Sequence, residues 1–194
     1  MKSYIKILGL GLFLSVLIGG CSSPYYTDIG INQMGFEENQ KQDDIIQSEK
    51  LNAFIKKQFP NVAVLATSDH FNVLLAGQVD SADTKTKLVQ FVKAQNEVKK
   101  VFDYTTISAT PKLKYSSSLT DEANNRIATE YNINTDQITV IAVGSVVYVM
   151  GTNIGDLTSF KKALDGVAAS RHVRKVVNLV QPGKDDYYSV SGYK

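Results

Sequence analysis

Serines and aspartates are plentiful in this sequence, but few side chains could act as a thiol nucleophile, as histidine bases or as Cys and His metal ligands. The chain of 194 residues has one cysteine, Cys21, and two histidines, His70 and His172. A single thiol cannot close an internal disulfide, and this set is too small for a closed structural zinc site of Cys and His ligands. We therefore expect no metal, no cofactor and no disulfide, and a fold that is held together by its apolar core.

An enzyme needs a nucleophile, a base and an orienting group within reach of one another. His70 follows Asp69 in a predicted hairpin turn, where polar residues are common, and His172 lies in a different predicted module. No GxSxG, HExxH, phosphate-loop or dinucleotide motif is present. A pair of carboxylates could still hydrolyse a substrate, because such pairs follow no spacing rule. The sequence favours a protein that is not an enzyme, and it predicts no catalytic residue.

Cys21 stands where an apolar run ends and a polar segment begins. Lys2 and Lys6 precede the apolar residues 7–18, and this order is typical of a signal peptide. The run is too short to cross a hydrocarbon layer of about 30 Å at about 1.5 Å per residue. The sequence Ile-Gly-Gly-Cys at residues 18–21 resembles the bacterial lipobox, whose cysteine receives a diacylglyceryl group. The resemblance predicts a signal peptide at residues 1–20 and lipidation of Cys21.

The competing interpretation is an ordinary secretory signal cleaved near Ser23, which would discard the cysteine. Under the lipobox interpretation, Ser22 resembles the residue found after the cysteine in lipoproteins that are sent to the outer membrane. Each buried methylene contributes about 0.8 kcal/mol, so two or three acyl chains would make attachment permanent. The resemblance implies a lipid-anchored outer-membrane protein that faces the periplasm.

The chain contains the same order of elements twice, namely helix, strand, strand, helix and strand. The first copy begins with a helix that Asp43 or Asp44 can cap and that Pro60 stops, and Ser81 or Asp83 opens its second helix. In the second copy Thr120 and Asp156 open the helices. The strands ITVIAV and VVYVMG flank a tight turn at Gly144 and Ser145. The first helix's apolar positions, largely on one face, are Ile46, Leu51, Phe54, Ile55 and Phe59; those of the fourth helix are Leu157, Phe160, Leu164 and Val167.

The fold class predicted from this repeat is α+β, with two tandem αββαβ modules that each pack a small three-stranded mixed sheet against two helices. Equivalent positions support the repeat: Gly77 matches Gly151, Val98 matches Val173, Val101 matches Val176, and Asp103 matches Asn178. The glycines indicate a bulge or a close backbone approach. The predicted boundaries are a signal peptide at 1–20, a lipidated tether at 21–42, a first module at 43–107, a linker at 108–118, a second module at 119–182 and a polar tail at 183–194.

The unit VLLAGQVDS followed by VKKVFD resembles the BON domain, and VYVMGTN followed by VRKVVN is similar to it, with Asn153 where valine is usual. Two such units behind a lipobox resemble the dual-BON outer-membrane lipoproteins, and the resemblance covers residues 43–182. It implies a non-enzymatic lipoprotein that supports envelope integrity. It also implies contact between the first helix of the second BON domain, here residues 120–131, and anionic phospholipid.

The charges of the second module are segregated along the sequence. Its first helix carries Asp121, Glu122 and Glu130 against the single basic Arg126, whereas most of its basic residues lie in its later half. Basic residues on one surface could donate charge-assisted hydrogen bonds to phosphate, each contributing about 1 kcal/mol near an anionic membrane. An ordinary solvated surface is the open alternative. The candidate lipid-binding residues are Lys161, Lys162, Arg171, Arg174, Lys175 and Arg126.

Two other classes of partner can be weighed from the sequence. Without Lys2 and Lys6, the 21 basic residues fall to 19, which equals the 19 acidic residues, so there is no bulk positive charge to bind nucleic acid. The strands VVYVMG and VVNLV are apolar at nearly every position, which is more than one packed face requires. The surplus predicts either a seam between the two modules or a docking surface for another envelope protein.

Overall fold

The computed structural model describes residues 33–131, 133–152 and 154–181. The predicted signal peptide, the lipidation site Cys21, residues 22–32 of the predicted tether and the tail from residue 182 lie outside the described residues.

The α+β fold class predicted from the repeat is confirmed, with two three-stranded mixed sheets and two helices for each sheet. The first module consists of α1 (Gln33–Gln58), β1 (Ala63–Asp69), β2 (Asn72–Val79), α2 (Ala82–Lys93) and β3 (Lys100–Ile107). The second consists of α3 (Ser117–Tyr131), a 3₁₀ turn (Thr135–Gln137), β4 (Ile138–Val143), β5 (Val146–Gly151), α4 (Leu157–Ala168) and β6 (Lys175–Asn178).

Each sheet has the second strand of its module in the middle. β2 pairs antiparallel with β1 and parallel with β3, and β5 pairs in the same way with β4 and β6. The parallel pair requires a crossover, which α2 and α4 supply. Ser81 caps α2 through the backbone amide of Thr84, and Asp156 caps α4 through the amides of Thr158 and Ser159.

The helices cover one face of each sheet. In the first module, Leu51 and Ile55 of α1 and Leu88 of α2 pack against Val73 and Leu75 of β2, and all five are almost completely buried. In the second module, the equivalent core is formed by the residues Ala123, Ile127, Val147, Val149, Phe160, Leu164 and Val167 with their neighbours. Burying apolar side chains of this size contributes roughly 1.5–3 kcal/mol each, so each helix is held mainly by its apolar face.

The opposite faces of the two sheets pack against each other. Leu74 and Ala76 of β2 contact a cluster that includes Tyr148 and Met150 of β5, and the rings of Tyr104 and Tyr148 meet edge to face at 5.2 Å. The molecule is therefore layered as helices, sheet, sheet, helices. The surplus of apolar residues in β5 and in the strand VVNLV is explained by this seam between the modules.

Gly77 and Gly151 occupy equivalent places on the middle strands, where a neighbouring backbone passes very close. A Cβ on Gly77 would lie 2.2 Å from the carbonyl oxygen of Ala63, and one on Gly151 would lie 2.6 Å from that of Gln137. Both residues also have positive φ angles, 140° and 155°, which side chains disfavour. The close approach predicted from the repeated glycine is confirmed.

Several local predictions were wrong. α1 begins at Gln33, so residues 33–42 of the predicted tether are helical, and Asp44 lies inside the helix rather than at its cap. Thr120 also lies inside its helix, since α3 begins at Ser117. Three residues predicted to face the core are exposed instead, because no element covers that side of their helices: Ile46 (38%), Phe54 (46%) and Leu157 (58%).

Candidate functional site

The predicted lipid-binding residues fall into three groups in the structure. Lys161 and Lys162 are exposed on α4, Arg171 and Arg174 are exposed in the segment that leads into β6, and Lys175 is exposed at the first position of β6. Arg126 lies on α3 and is only partly exposed. The first two groups place five cationic side chains in solvent on the later half of the second module.

The segment with Arg171, Arg174 and Lys175 is held against the tight turn of the second module. The backbone amides of Arg174 and Lys175 donate to the carbonyl oxygen of Ser145 at 2.8 and 3.4 Å. These two residues therefore lie beside the β4–β5 turn rather than in a loose loop. Their side chains project from a fixed backbone, which reduces the entropy lost when they bind a phosphate.

The lysines of α4 lie one turn after an exposed leucine. Leu157 and Lys161 are four residues apart, so they occupy the same face of the helix. Lys161 is within 3.8 Å of Asp165, an exposed pair that contributes little. Hydrogen bonds from Ser159 hold the pKa of Asp156 below its ordinary value, and the charge of Lys162 adds to this effect. An exposed leucine beside cationic side chains suits the boundary between lipid headgroups and acyl chains.

Arg126 has a different role from the other basic residues. One nitrogen of its guanidinium donates to the carbonyl oxygen of Gly166 at 2.9 Å and to the Ser170 hydroxyl at 2.6 Å. Gly166 also lies against Tyr131, whose hydroxyl would be 2.3 Å from an added Cβ. Arg126 therefore ties α3 to the end of α4 and does not belong to the exposed set of five basic side chains.

A shallow cavity of about 330 Å³ lies between the start of α3, the β4–β5 turn and His172. It is lined by Ser116, Glu122, Gly144 and His172, among others. Asp121 and Glu122 are both exposed at the start of α3. Their carboxylates would repel a phosphate, so this part of α3 is a poor contact for anionic lipid and the favourable charges lie on the later elements.

The most extensive polar network lies in the first module and was not predicted. Asp44, Ser48 and Asn52 are spaced four residues apart on α1, so they form one stripe along the helix. Asn52 accepts from the Ala66 amide at 2.9 Å and donates to the Ala66 carbonyl at 2.7 Å. Ser48 accepts from the Ser68 amide at 2.8 Å. The stripe satisfies the outer edge of β1 and so prevents it from pairing with another strand.

Asp44 holds the turn between β1 and β2. Its carboxylate accepts from the backbone amides of His70 (2.7 Å) and Phe71 (3.1 Å) and from the Ser68 hydroxyl (2.7 Å), and the side chain is buried. His70 and Phe71 have φ angles of 50° and 63°, a left-handed conformation that is costly for residues with a Cβ. The carboxylate stabilises this strained turn. In the sequence, the spacing of four between the polar residues Asp44, Ser48 and Asn52 was the signal that could have predicted this network.

The same turn joins the two modules. One carboxylate oxygen of Asp69 lies 2.8 Å from Nδ1 of His70, and the other accepts from the Thr139 hydroxyl of β4 at 2.7 Å. The hydrogen bond to Asp69 raises the pKa of His70 above 6.5, burial opposes the shift, and the charges of Asp69 and Asp44 add to it. The structure confirms that His70 is a turn residue and gives it a positioning role at the seam.

Neither a metal site nor a membrane span is found in the described part of the chain. Within those ranges, no three Cys, His, Asp or Glu side chains are placed to hold a metal ion, even where Asp44, Asp69 and His70 come together. Among the described helices, none combines the length and the hydropathy needed to cross a bilayer.

No family model matches the sequence, and no curated protein matches it. Among solved structures, the chain is similar to CdsD, a structural protein of the type III secretion system of Chlamydia trachomatis, at 12% identity and a TM-score of 0.30, covering 78% of this chain and 69% of that one. The C-terminal domain of CdsD gives 15% identity and a TM-score of 0.30, with coverages of 71% and 96%. Likeness of this size carries no argument about fold or function, and the BON resemblance stays a prediction.

Proposed function

We propose that this chain is a non-enzymatic lipoprotein of the outer membrane that faces the periplasm and supports envelope integrity. In this proposal Cys21 carries the acyl chains and the two modules are BON domains. The second module contacts anionic phospholipid. The observation that supports the contact is the exposed set of five basic side chains on the later half of that module, with Leu157 exposed one turn before Lys161.

The geometry favours α4 and the segment before β6 as the contact, rather than α3. Cationic side chains on these two elements would meet phosphates, and Leu157 would reach the acyl boundary. Glu122 at the start of α3 lines the same shallow cavity as Ser145 and His172, so its carboxylate would weaken the contact near the segment before β6. The other predicted function, an adaptor that docks through its surplus apolar strands, loses that support because the surplus is buried in the seam.

Vesicle sedimentation tests the proposal. Protein made without residues 1–21 is mixed with neutral vesicles and with vesicles that contain anionic phospholipid, at low and at high salt. We expect binding to the anionic vesicles alone, weakening as salt rises. The double variant Lys161→Gln, Lys162→Gln removes about 2 kcal/mol, which is about a 30-fold loss of affinity.

The matched control is Lys56→Gln, Lys57→Gln, which removes the same charge from exposed positions at the end of α1. We expect this control to lose much less affinity than the α4 variant. Equal binding to neutral and anionic vesicles, or an equal loss in the two double variants, would rule out a specific contact through the second module.

A further inference from the structure

An open groove of about 530 Å³ lies on the first module, between α1, the β1–β2 turn and the loop after α2. Its apolar lining includes Ile46 and Phe54 of α1 and Phe71 of the turn, and its polar lining includes Asp43 and Lys50. Sites for small molecules enclose most of the ligand's surface, which an open groove cannot do. The groove therefore suits the surface of another macromolecule.

Two large apolar side chains of this groove are not used by the fold. Phe54 is 46% exposed and Ile46 is 38% exposed, although Leu51 and Ile55 of the same helix are 2% exposed. The apolar core of the first module and the seam include neither of the two exposed residues. Large apolar side chains that line one concave surface are typical of an interaction site.

The side of α1 that borders the groove, which we call its outer face, carries charges of both signs. Positions 43, 46, 50, 54 and 57 are three or four residues apart, so they lie on one side of the helix. Asp43, Lys50 and Lys57 are exposed. In the described part of the chain, no ion pair joins any of these three residues to another side chain. Their charges are available to a partner.

The outer face is complementary to itself when two copies meet with their α1 helices antiparallel. With a two-fold axis at Lys50, Asp43 lies opposite the partner's Lys57, and Ile46 lies opposite the partner's Phe54. Each contact occurs twice, because a two-fold interface uses the same surface of both copies. A parallel arrangement would place Asp43 beside Asp43 and Lys57 beside Lys57, so the charges select the antiparallel one.

The two Lys50 side chains would meet near the axis, and each copy carries a carboxylate that can offset them. Glu97 lines the same groove as Lys50. Each copy therefore brings one carboxylate for one ammonium group to this part of the interface. The long stem of a lysine also lets its ammonium group bend away from the axis while the methylenes stay in contact with apolar surface.

Both walls of the groove are held in place before a partner binds. α1 is fixed to the edge of β1, where Asn52 accepts from the Ala66 amide at 2.9 Å. The amide of Phe71, on the opposite wall, donates to the carboxylate of Asp44 at 3.1 Å. A preformed surface lowers the entropy that is lost on association.

We propose that the groove binds a second copy of this chain, with the two α1 helices antiparallel about an axis near Lys50. Ile46, Phe54 and Phe71 of the two copies cover one another, and two pairs of Asp43 with Lys57 fix the orientation. The proposal does not depend on lipid binding by the second module. It makes the first module the dimerisation surface of the protein.

Disulfide trapping tests this interface in the full chain. Cys21→Ser leaves an introduced cysteine as the only thiol. We expect Lys50→Cys to form a covalent dimer under mild oxidation, because two copies of a residue on a two-fold axis lie within disulfide distance. Ile45→Cys is the matched control, since Ile45 is exposed on α1 but does not line the groove. It should give about tenfold less dimer.

Charge reversal in the Lys50→Cys protein tests the orientation. Asp43→Lys places like charges in both pairs, and Lys57→Asp does the same with the opposite sign. We expect each change to lower the yield of dimer about tenfold. The combination Asp43→Lys, Lys57→Asp restores both pairs and should return the yield to that of the Lys50→Cys protein. Both positions are exposed, so these changes should leave the fold intact.

Three results would overturn the proposal. Equal yields of dimer from Lys50→Cys and Ile45→Cys would reflect random collision of the chains. A double reversal that fails to restore the yield would show that Asp43 and Lys57 do not face each other across the interface. A protein that stays monomeric in every variant would assign the groove to a different partner.

Discussion

The two β-hairpin turns of this molecule have the same length but are stabilised by different groups. In the first module, His70 and Phe71 adopt left-handed conformations, and the carboxylate of Asp44 accepts both of their amides. In the second, Gly144 has a φ angle of 63° at little cost, and its amide donates to the backbone carbonyl of Lys114 at 2.7 Å. One turn needs a particular side chain from a helix, whereas the other needs only a glycine and a neighbouring backbone.

The difference shows what the long first helix contributes. α1 extends beyond Asp44 toward Gln33, whereas α3 begins at Ser117, close to the equivalent position. In the second module Ser116 takes the place of Asp44 and its amide donates to Ala142, which satisfies the edge of β4. The same edge and turn are therefore stabilised by side chains in one module and largely by backbone in the other.

The largest expected effect comes from the removal of the carboxylate. Asp44→Ala leaves two strained turn amides without their acceptor, whereas the Ser68 hydroxyl can still donate to the side-chain oxygen of Gln47, so we expect a loss of about 4 kcal/mol in the free energy of unfolding. Denaturant titration measures this loss. Ser116→Ala, the equivalent change, removes one cap of α3 at the Leu119 amide and should cost about 1 kcal/mol. Equal losses of unfolding free energy in the two variants would contradict the proposed difference between the two turns.

Two substitutions that alter the backbone freedom of the turns should change the stability of the protein in opposite directions. Gly144→Ala places a Cβ in open space but in a left-handed conformation, so it should destabilise the protein by about 1 kcal/mol. Phe71→Gly relieves that conformation in the first turn, and we expect a stabilisation of up to about 1 kcal/mol, reduced by the lost contact with Lys99. Thermal or denaturant unfolding checks both signs. A stabilising Gly144→Ala would show that the turn geometry is wrong.

The smallest effect is a dependence on pH that only the first turn should have. The hydrogen bond with Asp69 raises the pKa of His70 above its ordinary value of 6.5. The stability gained from this bond is therefore fully present below about pH 6.5 and is lost as the pH rises through the raised pKa. Comparison of unfolding free energies at pH 5.5 and 8.5 should show this decline in the unaltered protein and its loss in His70→Gln. The control variant His172→Gln should still lose stability between pH 5.5 and 8.5. If His70→Gln also lost stability over this range, the pH dependence would come from another group.

Much of the second module could be predicted from the sequence. β4 and β5 have the predicted bounds because two short runs rich in apolar residues flank a glycine in the turn, and both signals are local. The start of α1 could not be predicted, since residues 33–42 carry no apolar period. Asp44 and Thr120 were interpreted as helix caps because caps favour such residues, but Asp44 accepts from the β1–β2 turn and Thr120 accepts from the edge of β4, both of which are distant in sequence.

Exposure was the harder quantity to predict, for both the fold and the candidate site. The apolar period of α1 placed Ile46 and Phe54 with the core, but a period cannot say where the sheet ends. The exposure of the basic side chains on α4 and before β6 follows from their charge. Arg126 has the same charge, yet it bonds to Gly166 and Ser170, and that pairing depends on how α3 meets α4.

Lysine footprinting on vesicles tests the central claim most directly, because it reports the contact residue by residue. The acetylation rates of the exposed lysines are compared with and without anionic vesicles. The account predicts that Lys161, Lys162 and Lys175 are protected several-fold and that Lys56, Lys57 and Lys87 keep their rates. Unchanged rates at Lys161 and Lys162, or equal protection of the lysines on the first module, would contradict it.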